Sequence, residues 1–127
     1  MFSAFCRILL LTLFAASQAA AQKKQPEQPG EAIVFINSAF LAQTTLVHEI
    51  NRQLAYSQQI QHGLTVTIID IHPGGNYVQG PANYIKDESG IWVGKYRPTE
   101  IPALFCLKRE KRQAEKLTTA QEIRKCL

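Results

Sequence analysis

Two short apolar runs separated by an amphipathic segment place the strongest constraint on how this chain folds. Residues 32–36 (AIVFI) and 64–71 (LTVTIIDI) are too short for helices and are typical of strands buried on both faces of a sheet. Residues 41–59 contain neither glycine nor proline, and Gly63 favours a helix end just before the second run. The apolar side chains of this middle segment recur at helical spacing: Leu46, Val47, Ile50 and Leu54. The pattern predicts a βαβ unit with parallel strands and a right-handed crossover.

The C-terminal part of the chain predicts two more strands and a closing helix. Residues 103–108 form a third apolar run that begins directly after Pro102, a position that suits the start of a strand. A polar fourth strand is expected around residues 112–116. Thr118 with Gln121, or Thr119 with Glu122, has the spacing of a capping box, which predicts that a helix starts there.

The connection between the second and third strands is the least regular part of the sequence. Residues 72–76 (HPGGN) predict a loop. Because proline is favoured at the first position of a helix, Pro81 predicts a short helix over residues 82–86. Residues 91–96 fit either a strand or a helical turn.

The N-terminal residues 1–21 have the pattern of a cleaved signal peptide. Arg7 precedes an apolar run that is too short to span a bilayer comfortably, and Ala19-Ala20-Ala21 fits an A-x-A cleavage site before Gln22. A retained membrane anchor is the alternative interpretation. Residues 22–30 (QKKQPEQPG) then predict a flexible leader, and residues 31–127 the folded domain. Export through the signal peptide predicts a periplasmic protein.

The charge of the chain does not favour a nucleic-acid partner. Removal of residues 1–21 takes away Arg7 and no acidic residue, so the formal net charge falls from +4 to +3. The basic residues after position 107 alternate with Glu110, Glu115 and Glu122 and have no aromatic residues among them. That pattern is typical of a solvated surface.

Two cysteines, Cys106 and Cys126, remain after the signal peptide. An even number of cysteines in an exported protein favours a disulfide, because the periplasm is kept oxidising. Two separate buried thiols that pack as small apolar side chains are the alternative.

One local motif resembles the thioredoxin-like superfamily. Lys95-Tyr96 is followed by a five-residue run that ends at Ile101 and leads into Pro102 and the apolar third strand, with the spacing found in these proteins. The resemblance implies an α/β fold, a single thioredoxin-like domain of order βαβ-α-ββα with a central mixed sheet flanked by helices. It also implies that Pro102 is cis; an ordinary trans proline at the start of a strand is the alternative.

The sequence departs from redox-active thioredoxin-like proteins at one decisive place. Those proteins carry Cys-x-x-Cys at the end of the first strand, where the N-terminus of the first helix lowers the pKa of the thiol. Here residues 37–41 read NSAFL and contain no cysteine. We therefore expect a protein that is not an enzyme. A thiol-disulfide oxidoreductase or isomerase-like protein that uses Cys106 and Cys126 is the alternative.

Within the superfamily the chain looks most like small exported proteins of conjugative transfer, such as F-type pilin assembly proteins and their relatives in integrating conjugative elements. This resemblance implies an assembly or chaperone-like accessory factor that binds a protein partner, such as a pilin or another component of a transfer system. By position, the groove that binds an extended peptide consists of Asn37, Ser38, Ala39, Phe40, Ile101 and Pro102. No cofactor and no nucleic acid are expected. A binding module unrelated to conjugation is a further alternative.

The histidines and the remaining polar residues do not form a recognisable metal or catalytic site. The three histidines, His48, His62 and His72, do not have the paired spacing of a metal site, so no metal is expected. Asp70 and His72 share a strand face, but Ser38 lacks the glycine-flanked turn of a hydrolase nucleophile. An aromatic group is expected either to pack the core or to form a contact surface: Trp92, Tyr96, Tyr84 and Tyr77.

Overall fold

A computed structural model describes residues 28–108 and 111–127 of the chain. Its five strands are β1 Gly30–Ile36, β2 Leu64–Asp70, β3 Asn83–Lys86, β4 Ala103–Lys108 and β5 Lys111–Lys116. They form one sheet in the order β3-β2-β1-β4-β5, in which β1, β2 and β3 are parallel and β4 and β5 are antiparallel to their neighbours. The helices are α1 Leu41–Tyr56, α2 Gln58–Gly63, α3 Ile91–Tyr96 and a 3₁₀ helix Ala120–Cys126. The predicted α/β domain with a mixed sheet is confirmed.

The predicted βαβ unit is present, with one difference in its helix. Strands β1 and β2 pair in parallel from Gly30 opposite Leu64 to Ile36 opposite Asp70. The helical segment is broken at Ser57, whose backbone is extended and whose hydroxyl accepts a hydrogen bond from the Ile60 amide at 3.5 Å. The break starts α2, which ends at Gly63 as predicted.

Both faces of the sheet are covered, as expected for strands without polar alternation. On one face, Ala32, Val34 and Ile36 of β1 pack beneath α1, α2 and the 3₁₀ helix. On the other face, Ile33 and Phe35 pack with residues from α3 and β4. The end of β1 is therefore held firmly from both sides, and the turn that follows it starts from a fixed point.

The helix predicted over residues 82–86 is wrong, because residues 83–86 form strand β3. Tyr84 packs against the core on the α1 side while Ile85 packs on the opposite face, an alternation that only a strand provides. The free edge of β2 supplies the hydrogen-bonding partner, with Thr67 opposite Asn83 and Asp70 opposite Lys86. Tertiary pairing thus overrides the helix signal of Pro81.

Residues 91–96, which fitted two structures, form helix α3. Asp87 is buried, and its carboxylate accepts hydrogen bonds from the backbone amides of Trp92 at 3.1 Å and Val93 at 2.9 Å. The carboxylate therefore satisfies amides of the first turn that have no partner within the helix.

The C-terminal segment confirms three expectations. Thr119 and Glu122 form a capping box, although the helix that follows is 3₁₀ rather than α. Cys106 and Cys126 form a disulfide with a Cα–Cα distance of 5.0 Å, which ties the 3₁₀ helix to β4. The Ile101–Pro102 peptide bond is cis.

The predicted signal peptide of residues 1–21 and most of the leader lie outside the described residues. Across residues 28–108 and 111–127, none of the helices is long and apolar enough to cross a membrane.

Candidate functional site

The two segments predicted to bind a partner lie at the same edge of the sheet, because residues 37–40 follow β1 and residues 101–102 precede β4. Phe35 of β1 lies opposite Ala103 of β4, so residues 37–40 and residues 101–102 both adjoin this end of the pair. The 37–40 turn is ordered by the side chains of Asn37 and of Gln43 in α1. The Asn37 amide donates to Gln43 Oε1 at 2.6 Å, and Asn37 Oδ1 accepts from the Ala39 amide at 2.9 Å.

Apolar side chains are exposed at this edge. Phe40 is 58% exposed and Leu41 is 81% exposed, whereas Ile101 and Pro102 are half-buried. Ser38 is half-buried, and its amide donates to Asp70 Oδ1 at 3.0 Å. The position that carries thiols in redox-active thioredoxin-like proteins therefore presents an uncharged apolar surface in this chain.

A buried carboxylate, Asp70, lies directly behind the 37–40 turn. It is fully buried at the end of β2 and accepts four hydrogen bonds. Two come from the backbone amides of Ser38 and His72, each at 3.0 Å. The other two come from the Tyr84 hydroxyl at 2.7 Å and from Lys86 Nζ at 3.0 Å.

The surroundings of Asp70 determine the protonation states of Asp70 and of its hydrogen-bond donor Tyr84. Burial alone would raise the pKa of Asp70, but hydrogen bonds from Ser38, Tyr84 and Lys86 outweigh burial and lower the pKa from 3.8 to about 2. Burial, together with the hydrogen bond to Asp70 and its negative charge, raises the pKa of Tyr84 well above its ordinary value. Asp70 is thus ionised and Tyr84 protonated throughout the physiological pH range.

Lys86 connects this carboxylate to the loop after β2. Its side chain is 4% exposed, and besides Asp70 it donates to the carbonyl oxygens of Gly74 at 2.7 Å and His72 at 3.4 Å. The ammonium group therefore has three acceptors for its three protons. Sequence reasoning missed this cluster. A charge within the apolar run of residues 64–71 was a visible signal for Asp70, whereas Lys86 lies in a segment for which the sequence predicts a helix.

The geometry does not assemble a hydrolase site from Ser38, Asp70 and His72. Asp70 accepts from the His72 backbone amide, and its carboxylate oxygens are occupied by Ser38, Tyr84 and Lys86 as well. Ser38 Oγ is buried beside Asp70 and Tyr84 and is therefore not exposed to a substrate as a nucleophile would be. Within the described part of the chain, no group of three or more His, Cys, Asp or Glu side chains is placed to hold a metal ion.

The aromatic residues do not form one group, which corrects the sequence-based expectation. The rings of Tyr77 and Tyr84 contact each other edge to face, with centroids 5.6 Å apart, beside the outer strand β3 on the α1 side of the sheet. Trp92 and Tyr96 stack at 6.0 Å on the opposite face, where Tyr96 also packs against Phe35 and Phe105. The Trp92 group therefore belongs to the second core, whereas Tyr77 remains 59% exposed near the Asp70 cluster.

No protein-family model matches this sequence, and no curated protein matches it. Solved structures do match the fold, which is thioredoxin-like. StoA from Bacillus subtilis has a TM-score of 0.57 at 12% identity, with 76% of this chain and 81% of that chain covered.

Two further structures extend this comparison. A putative thiol:disulfide interchange protein DsbE from Chlorobium tepidum has a TM-score of 0.58 at 12% identity, with 75% of this chain and 72% of that chain covered. Conserved protein BF1870 of unknown function from Bacteroides fragilis has a TM-score of 0.51 at 16% identity, with 76% of this chain and 77% of that chain covered. At these identities the likeness establishes the fold and leaves the function to be argued from this chain's own residues.

Proposed function

We propose that this chain is a non-catalytic binding protein that holds an extended segment of a protein partner at the edge formed by residues 37–40 and 101–102. The observation that carries the proposal is the exposure of Phe40 and Leu41 where redox-active relatives of this fold carry thiols. Exposed neighbouring apolar side chains on a rigid scaffold favour protein contact. We expect an extended segment to pair with the main chain of Ile101, which requires no cysteine. Pro102 itself has no N–H, and its carbonyl accepts the Leu117 amide at 3.0 Å.

The energy of such contact comes mainly from the apolar side chains. Covering a side chain of the size of phenylalanine or leucine is worth about 1.5–3 kcal/mol. Phe40 is the N-cap residue of α1 and Leu41 is the first residue of the helix, so little backbone entropy is lost when a partner covers them.

Thiol chemistry is not part of this proposal. Exchange requires a thiolate that attacks an accessible sulfur. In this chain Cys106 and Cys126 are joined to each other, and Cys126 is only 2% exposed. We therefore assign the bridge a structural role, as a tether for the C-terminal helix.

The cellular setting is proposed from the sequence alone. The N-terminal signal-peptide pattern supports export to the periplasm, and the resemblance to small conjugative-transfer proteins supports a role in assembling a transfer apparatus, with a pilin or another transfer component as partner. Deletion of the gene is expected to reduce mating frequency, with restoration by the wild-type chain. Unchanged mating frequency would contradict this setting without touching the binding proposal.

The binding proposal is tested by substitution at the exposed edge. We expect Phe40→Ser and Ile101→Ser to weaken capture of the partner from cell-envelope extracts by about tenfold or more, the equivalent of at least 1.4 kcal/mol. Tyr56→Ser is the matched control, because Tyr56 is an 85% exposed aromatic residue at the other end of α1. Thermal unfolding verifies that each variant is folded. Equal capture by folded Phe40→Ser, Ile101→Ser and Tyr56→Ser variants would refute the proposal.

A further inference from the structure

A second segment, residues 73–77, lies beside the 37–40 turn. At Gly75, where φ is +84°, the position that a Cβ atom would occupy is 3.9 Å from Ser38 Oγ and 3.8 Å from His72 Cδ2. The loop after β2 therefore runs next to the turn after β1. It continues to Tyr77, whose ring contacts Tyr84 and lies 5.6 Å from Lys86 Nζ.

The buried ion pair fixes both segments at once. Asp70 accepts the amide of Ser38 from the first segment, while Lys86 Nζ donates to the carbonyl of Gly74 in the second. Removing two charges from water costs free energy that their attraction only partly returns, so a buried pair is a poor means of gaining stability. The pair does, however, determine where two otherwise independent loops stand relative to each other.

The surface formed by these two segments carries no charge of its own. The two segments and the residues that follow each of them, 37–42 (NSAFLA) and 73–82 (PGGNYVQGPA), contain no Asp, Glu, Lys or Arg, in a chain that has 24 such residues. The Asp70 and Lys86 side chains behind them are 0% and 4% exposed and neutralise each other. Its large exposed apolar side chains are Phe40 at 58%, Leu41 at 81% and Tyr77 at 59% exposure.

We propose that the partner-binding surface extends from Phe40 across Ser38 and Gly75 to Tyr77, and that the Asp70–Lys86 pair is the clamp that holds its second half in place. The partner is an extended polypeptide segment without charged residues, rich in aliphatic or aromatic side chains. A charged side chain would lose water on this surface without gaining a counterion, which is unfavourable. This inference rests on the proposed function and adds a second contact segment and the chemistry of the partner to it.

The extension is tested by placing a photoreactive benzoylphenylalanine at position 40, 77 or 56 of the full chain in the native cell. We expect positions 40 and 77 to cross-link to the same partner and position 56 to give no adduct. An adduct at 40 but not at 77, or an equal adduct at 56, overturns the extension alone. No adduct at either 40 or 77 overturns the proposed function itself. Mass spectrometry of the adducts then reads the partner sequence, and a segment rich in Asp, Glu, Lys or Arg would overturn the stated chemistry.

The clamp is tested in the same experiment with the double variant Asp70→Asn/Lys86→Met. This variant removes both charges but keeps an amide oxygen for the Ser38 and His72 amides, so it avoids leaving a lone buried charge. We expect cross-linking through position 77 to be lost while cross-linking through position 40 persists. Full cross-linking through position 77 in the folded double variant would overturn the clamp, as would equal losses at both positions.

Discussion

Asp70 is a fully buried charge whose energy depends on its partners. In the single variant Asp70→Asn, the Lys86 ammonium remains 4% exposed and loses its counterion. We expect this variant to lose about 3–5 kcal/mol of unfolding free energy, because an uncompensated buried charge is left behind. In Asp70→Asn/Lys86→Met, where both charges are gone, the loss is expected to be smaller. Urea unfolding of the two variants checks this order, and a double variant less stable than the single one would contradict it.

The same carboxylate predicts an acid dependence of stability. Its pKa is about 2 in the folded protein against an ordinary value of 3.8, so the folded state favours the ionised form. The resulting stabilisation, about 2 kcal/mol, is fully present above roughly pH 4 and is lost as the pH falls toward 2. The wild type is therefore expected to lose more unfolding free energy than the double variant when the pH is lowered from 5 to 2. Parallel losses in the two proteins would show that Asp70 is not the group responsible.

The sequence predicted part of this residue-scale account. The turn residues 37–40 and Pro102 were identified by their positions in a resembling fold, and the structure brings their two segments to one edge. Asp70 lies in a run that the sequence predicts as a strand, but nothing in the sequence links it to Lys86. Lys86 was assigned to a helix, and a helix would not have placed it opposite Asp70 in a parallel pair of strands.

At the scale of elements, the β2–β3 connection is held by α1. Asn51 of α1 is buried, and its Oδ1 accepts the Ala82 amide at 3.0 Å just before β3 begins. The backbone of Gly80 lies so close to the Asn51 amide group that a Cβ atom at this position would overlap it. These long-range contacts, which local sequence patterns do not encode, explain why β3 was not predictable.

The close approach of Gly80 to Asn51 predicts that a methyl group added at position 80 lowers the stability of the protein. Gly80→Ala is expected to displace Asn51, break its hydrogen bond to Ala82 and cost about 1–3 kcal/mol of unfolding free energy. Gly94→Ala in α3 is the matched control, because nothing lies within 4 Å of its added Cβ and alanine is the better helix former. Thermal unfolding of the two variants provides the comparison. A Gly80→Ala protein as stable as Gly94→Ala would contradict this role for Asn51.

At the scale of the whole molecule, the closing 3₁₀ helix is tied to the sheet covalently as well as by packing. Ile123 is fully buried in the core beneath α1, and the Cys106–Cys126 bridge closes a loop with a sequence separation of 20 residues. Closing a loop of that length stabilises a protein by about 3 kcal/mol in the chain-entropy description.

The bridge therefore predicts a change in stability upon its removal. The double variant Cys106→Ser/Cys126→Ser is expected to unfold with a free energy lower by about 3 kcal/mol while it keeps the same fold. Urea unfolding with circular dichroism measures both quantities, and the wild type in a dithiol reductant serves as a second test. Unchanged stability would contradict the structural role of the bridge.

The overall architecture was the most predictable property of the chain. Continuous apolar runs predict buried strands such as β1. The spacing from Tyr96 to Pro102 is similar to the spacing found in one superfamily. The binding role is harder to infer. The exposure of the Phe40 side chain depends on the geometry of the turn and on which other elements pack near it, and a sequence pattern shows neither of these.

The most direct test of the account is the affinity of the cysteine-free variant, Cys106→Ser/Cys126→Ser, for the partner identified by cross-linking at position 40. Measured at a temperature where the variant is folded, its affinity is expected to stay within about twofold of the wild-type value, whereas Phe40→Ser loses about tenfold or more. Loss of binding in the folded cysteine-free variant, with full binding retained by Phe40→Ser, would contradict the central claim that this thioredoxin-like fold works by binding and not by thiol chemistry.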